Sequence, residues 1–466
     1  MAQHPSGAGP LVFRGRARIR EDGGMSVLHD RLGRLAADVV LGTRIGAMRA
    51  GGLALAVRGD RVARLLHRPW RLDPYPVYSE LRAAQTRAGG GPVRSRVGIT
   101  ALATRASCEA VLRDRRFGVQ PAGDGSRLGG KAAETADGGS LLEPLDLPLL
   151  ITDPPDHTRL RRLAQPAFAP RRLAHYRTVA ERVTDGLLDA ALARSRQEGR
   201  FDLVRDLASP LPIAVISALL DVPEVDSERF ARWGRALGSA LDGVRSPAHA
   251  RELAAARTAL RSLLTGLLEQ RRTEPGEDVL SALATAVDGD GATADEALAL
   301  AQLLLVAGFE TTTNLIGSAV QAMQRTPGQW AALIEDPGLA AAAVEETLRF
   351  DPPVQLTARF AHEDLEVDGA RLRRDSGVLV LLAAANRDPA VHPDPDRFDL
   401  HREQAARHLA FSGGVHYCLG APLARLEGEV ALRVLAERAP RLRLAGRPVP
   451  RIATVLRGPL SLPVTA

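Results

Sequence analysis

The chain has 466 residues, 45% of them apolar and 25% charged; this composition can bury a large core and excludes disorder as the main state. The net charge is +6, carried by arginine with Lys131 as the sole lysine, and no basic helix interleaved with aromatics marks a nucleic-acid face. Cys108 and Cys418 are the only cysteines, which excludes a disulfide framework and a thiolate-rich zinc site and points to a reducing, cytoplasmic setting.

Residues 1–68 read as a partly flexible N-terminal extension rich in Gly, Ala and Arg. Within it "FRGRARIR" alternates like a short strand, and a helix is expected from about Leu28 onward. The best candidate for a membrane span, "LAADVVLGTRIGAMRAGGLALAV", is interrupted by Asp38, Arg44 and Arg49, so no membrane anchor is expected. The main domain is expected over 69–466, with a first helix near Pro76. Residues 121–140 carry many glycines and almost no large apolar side chain, the pattern of a long loop.

Helices follow. Asp153 as N-cap and Pro154 at the first helical position predict one start. Amphipathic runs cover 171–196, 204–220, 226–242 and 247–273. A capping box, Thr293 to Glu296, opens a helix that runs to about Arg325, before Pro327. At 1.5 Å per residue it is about 45 Å long and crosses a whole domain. The segment "EDPGLAAAAVEETLRFDPPV" predicts a further helix. The stretch from Ala358 to Asp388 then shifts to period two, with turns at Asp368-Gly369 and Ser376-Gly377. The fold class is mainly α with a small β portion.

Chemistry concentrates in "AFSGGVHYCLGAPLARLEGE", Ala410–Glu429. Glycines surround Cys418, and Leu423, Leu426, Val430 and Val434 then form a helical stripe, so the thiol precedes a helix N-terminus. That position favours a thiolate, leaving a nucleophile with His416 as base, a metal ligand or an inert buried cysteine open. On the long helix Ala307 and Gly308 leave one face small, although an interior glycine costs up to about 1 kcal/mol. Glu310 and Thr311 stand beside them; read alone, they are an exposed glutamate and a threonine bonded to its own backbone. Glu346 and Arg349, three apart, share a helical face, as do His157 and Arg161, four apart, which are spaced to clamp a carboxylate.

The string Phe411–Gly420 resembles the haem-binding loop of the cytochrome P-450 superfamily, with Ser412 where the family usually has glycine. "AGFETT" at Ala307–Thr312 is similar to the family's central-helix motif, and "ETLR" to its Glu-x-x-Arg motif. "HTRLR" from His157 and "ANRDPAVHPDPDRFDLHR" from Ala385 match two further segments, and the resemblance runs from about Pro69 to the C-terminus. It implies a single haem-binding domain with a long central helix, and a haem b (iron protoporphyrin IX) ligated by Cys418. Phe411, Ala307, Gly308 and Gly420 would approach the haem closely. His157, Arg161, Arg359 and His416 would bind its propionates, and Thr311 and Glu310 would deliver protons to dioxygen. Glu346 and Arg349 would form a buried structural pair joined by Arg397. Substrate contacts would come from Val306, Phe309, Val354 and Leu356.

The implied activity is a monooxygenase that activates O2 with two electrons from a separate protein and oxidises a small, apolar organic substrate. Hydroxylation is the first reading; epoxidation, desaturation or oxidative coupling in secondary metabolism is an alternative, as is a non-catalytic haem-thiolate ligand sensor. The chain has no flavin or iron–sulfur motif of its own, so a ferredoxin-like donor, reduced by NAD(P)H through a ferredoxin reductase, is the expected partner. Arg425 and Arg162 are candidates for docking it. A monomer is expected.

Overall fold

The computed structural model describes residues 22–96, 98–122, 147–223, 227–242, 244–289 and 291–466; the "FRGRARIR" stretch and nearly all of the glycine-rich segment fall outside them. In chain order, α1 (Asp22–Val57), α2 (Arg61–Leu65) and α3 (Tyr75–Arg87) lead to the short strands β1 (Val93–Arg94) and β2 (Thr100–Leu102), then α4 (Arg105–Arg113) and β3 (Phe117–Gly118). The helical body comprises α5 (Pro148–Ile151), α6 (Asp156–Ala164), α7 (Pro170–Glu198), β4 (Phe201–Asp202), α8 (Pro210–Leu220), α9 (Ser227–Gly238), α10 (Pro247–Thr273), α11 (Val279–Asp288), α12 (Ala294–Arg325), α13 (Gln329–Glu335) and α14 (Ala340–Phe350). After it come β5 (Thr357–Ala361), β6 (Leu365–Val367), β7 (Ala370–Leu372), β8 (Gly377–Val380), α15 (Leu382–Ala385), α16 (Ala421–Arg438) and the short strands β9 (Arg443–Leu444), β10 (Val449–Pro450), β11 (Pro459–Ser461) and β12 (Pro463–Thr465).

The long helix α12 is the axis of the fold. Its capping box forms as the sequence predicts, with Thr293 Oγ1 accepting from the Glu296 N–H and the Glu296 carboxylate accepting from the Thr293 N–H. Apolar side chains all round it let α8, α9, α10, α11, α14 and α16 pack against it, as expected of a helix hydrophobic on every face. Gly428 of α16 permits close packing: a Cβ there would lie 2.9 Å from Val344 Cγ2 and 3.4 Å from Leu315 Cδ2. The small β portion is a five-stranded sheet, β1-β2-β8-β5-β3, in which only the β2–β8 pair is parallel. The predicted turn at Asp368-Gly369 joins β6 to β7 with both residues at positive φ.

Three local expectations change. The helix assigned to Asp153 and Pro154 starts at Asp156 instead, because a residue followed by proline, here Pro154 before Pro155, is driven out of the helical region. Asp153 is thereby freed to accept from the Val119 and Gln120 N–H groups. The core also reaches back across the boundary expected near residue 69, with Val62 and Leu65 of α2 packed in one cluster with Val77, Tyr78 and Leu81 of α3. Finally, Asp38–Val57 is long and apolar enough to cross a membrane by length and composition despite its charges, as is α12, whose apolar stretch is 83% buried inside the protein.

Candidate active site

Cys418 ends the loop that runs into α16. Its N–H donates to the Phe411 carbonyl at 2.9 Å, closing the loop, and the Gly420 and Ala421 N–H groups point at the sulfur. The thiol is deep enough for desolvation to raise its pKa, yet the residue keeps accessible surface. A side chain can be both only by facing an internal space. Gly414 of the loop has φ +66°, and a Cβ there would collide with the Leu112 carbonyl oxygen at the end of α4. Ser412 also lies in the left-handed region, at φ +63°, a conformation costing about 1–2 kcal/mol without glycine. Its hydroxyl accepts a hydrogen bond from Arg359 Nη2 at 3.2 Å, which offsets part of that cost.

Basic groups gather beside the loop. The His157 and His416 rings lie 4.3 Å apart, and His416 Nε2 is 3.2 Å from the Asp153 carboxylate. Asp153 sits below the ordinary carboxylate range, since hydrogen bonds from His416, Val119 and Gln120 outweigh the burial that alone would raise it. Burial, reinforced by His416 and Arg161, holds His157 down at about 4. Burial likewise lowers Arg161, with Cys418 as the nearby opposing charge, and brings Arg359 down to about 10. Among the described residues Arg359 bonds only to hydroxyl and carbonyl oxygens, and His157 Nε2 and His416 Nδ1 are buried without partners. Asp153 pairs with His416, whereas the buried Arg359 guanidinium meets only neutral oxygens among the described residues, which calls for further anionic charge.

On α12, every residue from Ala297 to Val320 is buried except Ala307, Gly308 and Thr311. Residues at i, i+1 and i+4 share a face, so the middle of a core helix presents one patch to open space. Thr311 Oγ1 donates to the Ala307 carbonyl at 2.7 Å. Gly308 has a second reason to be small: a Cβ there would meet Ile216 Cδ1 of α8 at 2.7 Å, so its lack of a side chain also serves helix packing. Glu310 is not on that patch. It is buried in an ion pair with Arg451 from the segment after β10, a residue 141 positions away that no local spacing singles out.

Other expected positions move as well. Val306 and Phe309 do not line open space; Val306 is part of the main core and Phe309 packs on Ile213. Leu356 is buried with α2 and α3, and Val354 is half-buried and bridged to Leu456. Glu346 and Arg349 form a fully buried pair with contacts of 2.7 and 2.8 Å. Their third member is Arg402, whose Nε lies 3.3 Å from Glu346. Arg397 contributes only its carbonyl oxygen to Arg349, while its side chain is 65% exposed beside Asp399. Arg349 also donates to the Asn386 carbonyl, and the Asn386 side chain accepts from the Leu409 N–H at 2.6 Å, which ties the network to the cysteine loop. Arg425 is committed to Glu345 and lies over the Phe411 ring, so its charge is largely spent; Arg162 is exposed. Phe411 is half-buried against the core between His408 and Tyr417, and Gly420 caps α16 with open room around it.

A model of the cytochrome P450 family matches residues 142–438. The chain belongs to the cytochrome P450 family. A putative cytochrome P450 140 of Mycobacterium tuberculosis is 43% identical over 415 residues, covering 88% of this chain and 92% of that one. The cytochrome P450 monooxygenase PikC of Streptomyces venezuelae is 41% identical over 399 residues, 84% of this chain and 91% of its own. The crystal structure of Mycobacterium smegmatis CYP164A2 superimposes with a TM-score of 0.76 at 40% identity, covering 87% of this chain and 99% of that one. This P450 is therefore an oxygenase with the P450 fold, working through a haem-thiolate cofactor, a small-molecule substrate and a redox partner. The residues present fit a haem: a thiol facing an internal space matches the axial ligand, and the buried Arg359 with no carboxylate partner among the described residues, clustered with His157, Arg161 and His416, matches a group bearing carboxylates.

Proposed function

We propose that Cys418 ligates the iron of haem b, that His157, Arg161, Arg359 and His416 hold its propionates, and that the enzyme hydroxylates a small apolar substrate in the cytoplasm, in secondary metabolism. The observation that carries this reading is the deeply set yet accessible Cys418 together with the buried Arg359, which among the described residues bonds only to neutral oxygens, in a cluster with His157, Arg161 and His416. When bound, a thiolate-ligated haem supplies the cleavage of dioxygen and the transfer of one oxygen atom to the substrate.

The chain's own part is positional and protonic. The Gly420 and Ala421 N–H groups temper the charge on the sulfur. Thr311 keeps its hydroxyl on the accessible face of α12, where it donates to Ala307 and retains lone pairs for a proton carrier. Glu310 would relay protons to it as a carboxylate that leaves its ion pair with Arg451 to take up and pass on a proton from water. Small Ala307 leaves room for substrate beside Thr311. Epoxidation, desaturation and oxidative coupling use the same groups.

Electrons would come from an acidic, ferredoxin-like protein reduced by NAD(P)H through a ferredoxin reductase. A depression of about 530 Å³ beside the cysteine loop, bordered by Arg105, Arg113 and Arg407, supports docking of such a partner. Glu109 offsets part of this charge. The test is the absorption spectrum of the reduced protein under carbon monoxide. A strongly red-shifted Soret band that Cys418→Ser abolishes is expected; an unshifted band in the wild type would overturn thiolate ligation.

A further inference from the structure

The outer face of α1 has no partner among the described residues. At about 100° per residue, Val39, Ala47, Ala50, Leu53, Ala54 and Val57 fall within an arc of about 120°, and all six are exposed. Val39 is 66% and Val57 70% exposed, and no charged side chain interrupts the arc. Its borders carry Arg49 on one side and Arg44 on the other, with Arg58 just beyond the end. From Val39 to Gly59 there is no acidic residue, and Asp38 is tied to Arg251 of α10.

The opposite side of α1 touches the protein near Leu41, Arg49 and Ala56, while Met48 between them is exposed. Leu41 and Ala56 are buried, Arg49 Nη2 donates to the Arg245 carbonyl at 3.1 Å, and α1 packs along α2 and α10. Asp38–Val57 is long and apolar enough to cross a bilayer and only 11% buried in the protein, but turning to do so would break these contacts.

We infer that α1 docks this P450 in the plane of an anionic lipid surface, as an interfacial helix. An apolar face bordered by arginines suits that environment: small apolar side chains enter the acyl boundary while the arginine stems extend to anionic headgroups. Protein partners are normally gripped by clustered aromatic or arginine anchors in a packed centre, and this face has no aromatic residue. Its edge charge is of one sign, complementary to anionic lipid and repulsive toward a second copy of itself. The protein would then be peripheral, with α1 against the bilayer and the body outside it.

The test is flotation of the full-length haem-loaded protein with vesicles of mixed phosphatidylglycerol and phosphatidylcholine, compared with phosphatidylcholine alone. The wild type is expected to float with the anionic vesicles at least tenfold more than with the neutral ones, and to be released as salt rises toward about 0.5 M, where the Debye length falls to several ångströms. Val39→Ser/Leu53→Gln/Val57→Ser and, separately, Arg44→Glu/Arg58→Glu should each lower binding at least tenfold, with the haem absorption spectrum unchanged. The second variant alters only exposed charges, so it stands if the first fails to fold. Absence of binding to anionic vesicles overturns the inference, as does binding that both variants retain. Light scattering that shows a dimer dispersed by the Val39/Leu53/Val57 variant also overturns it, because a second copy then covers the face.

Discussion

The buried network behind the cysteine loop allows a quantitative test. Glu346 accepts two hydrogen bonds from Arg349, one from the Asp399 N–H at 2.9 Å and one from Arg402 at 3.3 Å, while Arg349 also donates to three backbone carbonyls. Both side chains of the pair are fully buried. Breaking such a pair by neutralising one partner leaves a desolvated charge and costs about 3–5 kcal/mol, so Glu346→Gln and Arg349→Met should each lose that much. Arg402→Ala should cost about 1–3 kcal/mol, since its contact with Glu346 is longer and its remaining bonds go to backbone carbonyls. Arg397→Ala should cost under about 0.5 kcal/mol, because its side chain is exposed and 3.8 Å from Asp399. Urea unfolding of the haem-loaded protein, followed by far-ultraviolet circular dichroism with the slope checked for constancy, measures the series. Replacing Glu346 and Arg349 together by leucine should cost less than the sum of the single changes. The reasoning is refuted if Arg397→Ala costs as much as Arg402→Ala, or if Glu346→Gln stays within about 1 kcal/mol of wild type.

Three further outcomes are expected. Ser412→Ala keeps the left-handed backbone and loses the bond from Arg359, whereas Ser412→Gly loses the bond and relieves the strain; the glycine variant should be the more stable of the two by about 1 kcal/mol in the same urea assay. His392 is fully buried, and burial, with Arg349, Arg402 and Arg105 nearby, depresses it from 6.5 to about 4. The unfolded chain therefore takes up this proton first as pH falls: the stability is complete above pH 6.5 and is lost between there and about 4. The contribution is on the order of 3 kcal/mol, so His392→Leu should flatten the unfolding free energy over that window, and an unchanged slope would contradict the assignment. Thr311→Ala removes the hydroxyl on the accessible face of α12 and should send more than half of the reducing equivalents to peroxide; Glu310→Gln, which removes the ionisable carboxylate, should act in the same direction. Product yield per NAD(P)H consumed reads both, and unaltered yield in both variants would refute the proton route.

The sequence alone determined what is written in local chemistry. Thr293 and Glu296 start α12 because a capping box needs only its own first turn, and the apolar periodicities locate α7, α10 and α16 because a helix face repeats within a few residues. The glycine-bounded Cys418 before a helix start, and the bidentate pairing available to residues three apart at Glu346 and Arg349, were legible for the same reason. Tertiary structure decided whatever depends on residues far apart in the chain. Arg402 rather than Arg397 completes the Glu346 pair because the turn after Phe398 points one guanidinium inward and the other to solvent, which a count of residues does not convey. Arg451 meets Glu310 only because the β10–β11 hairpin folds back onto α12. That Gly308 is kept small by Ile216, and Gly414 by the end of α4, shows only when distant segments are packed together. The outer face of α1 became visible only once its other face was packed: the sequence shows apolar residues among arginines, and burial of Leu41 and Ala56 fixes which of them are left for a surface outside the protein.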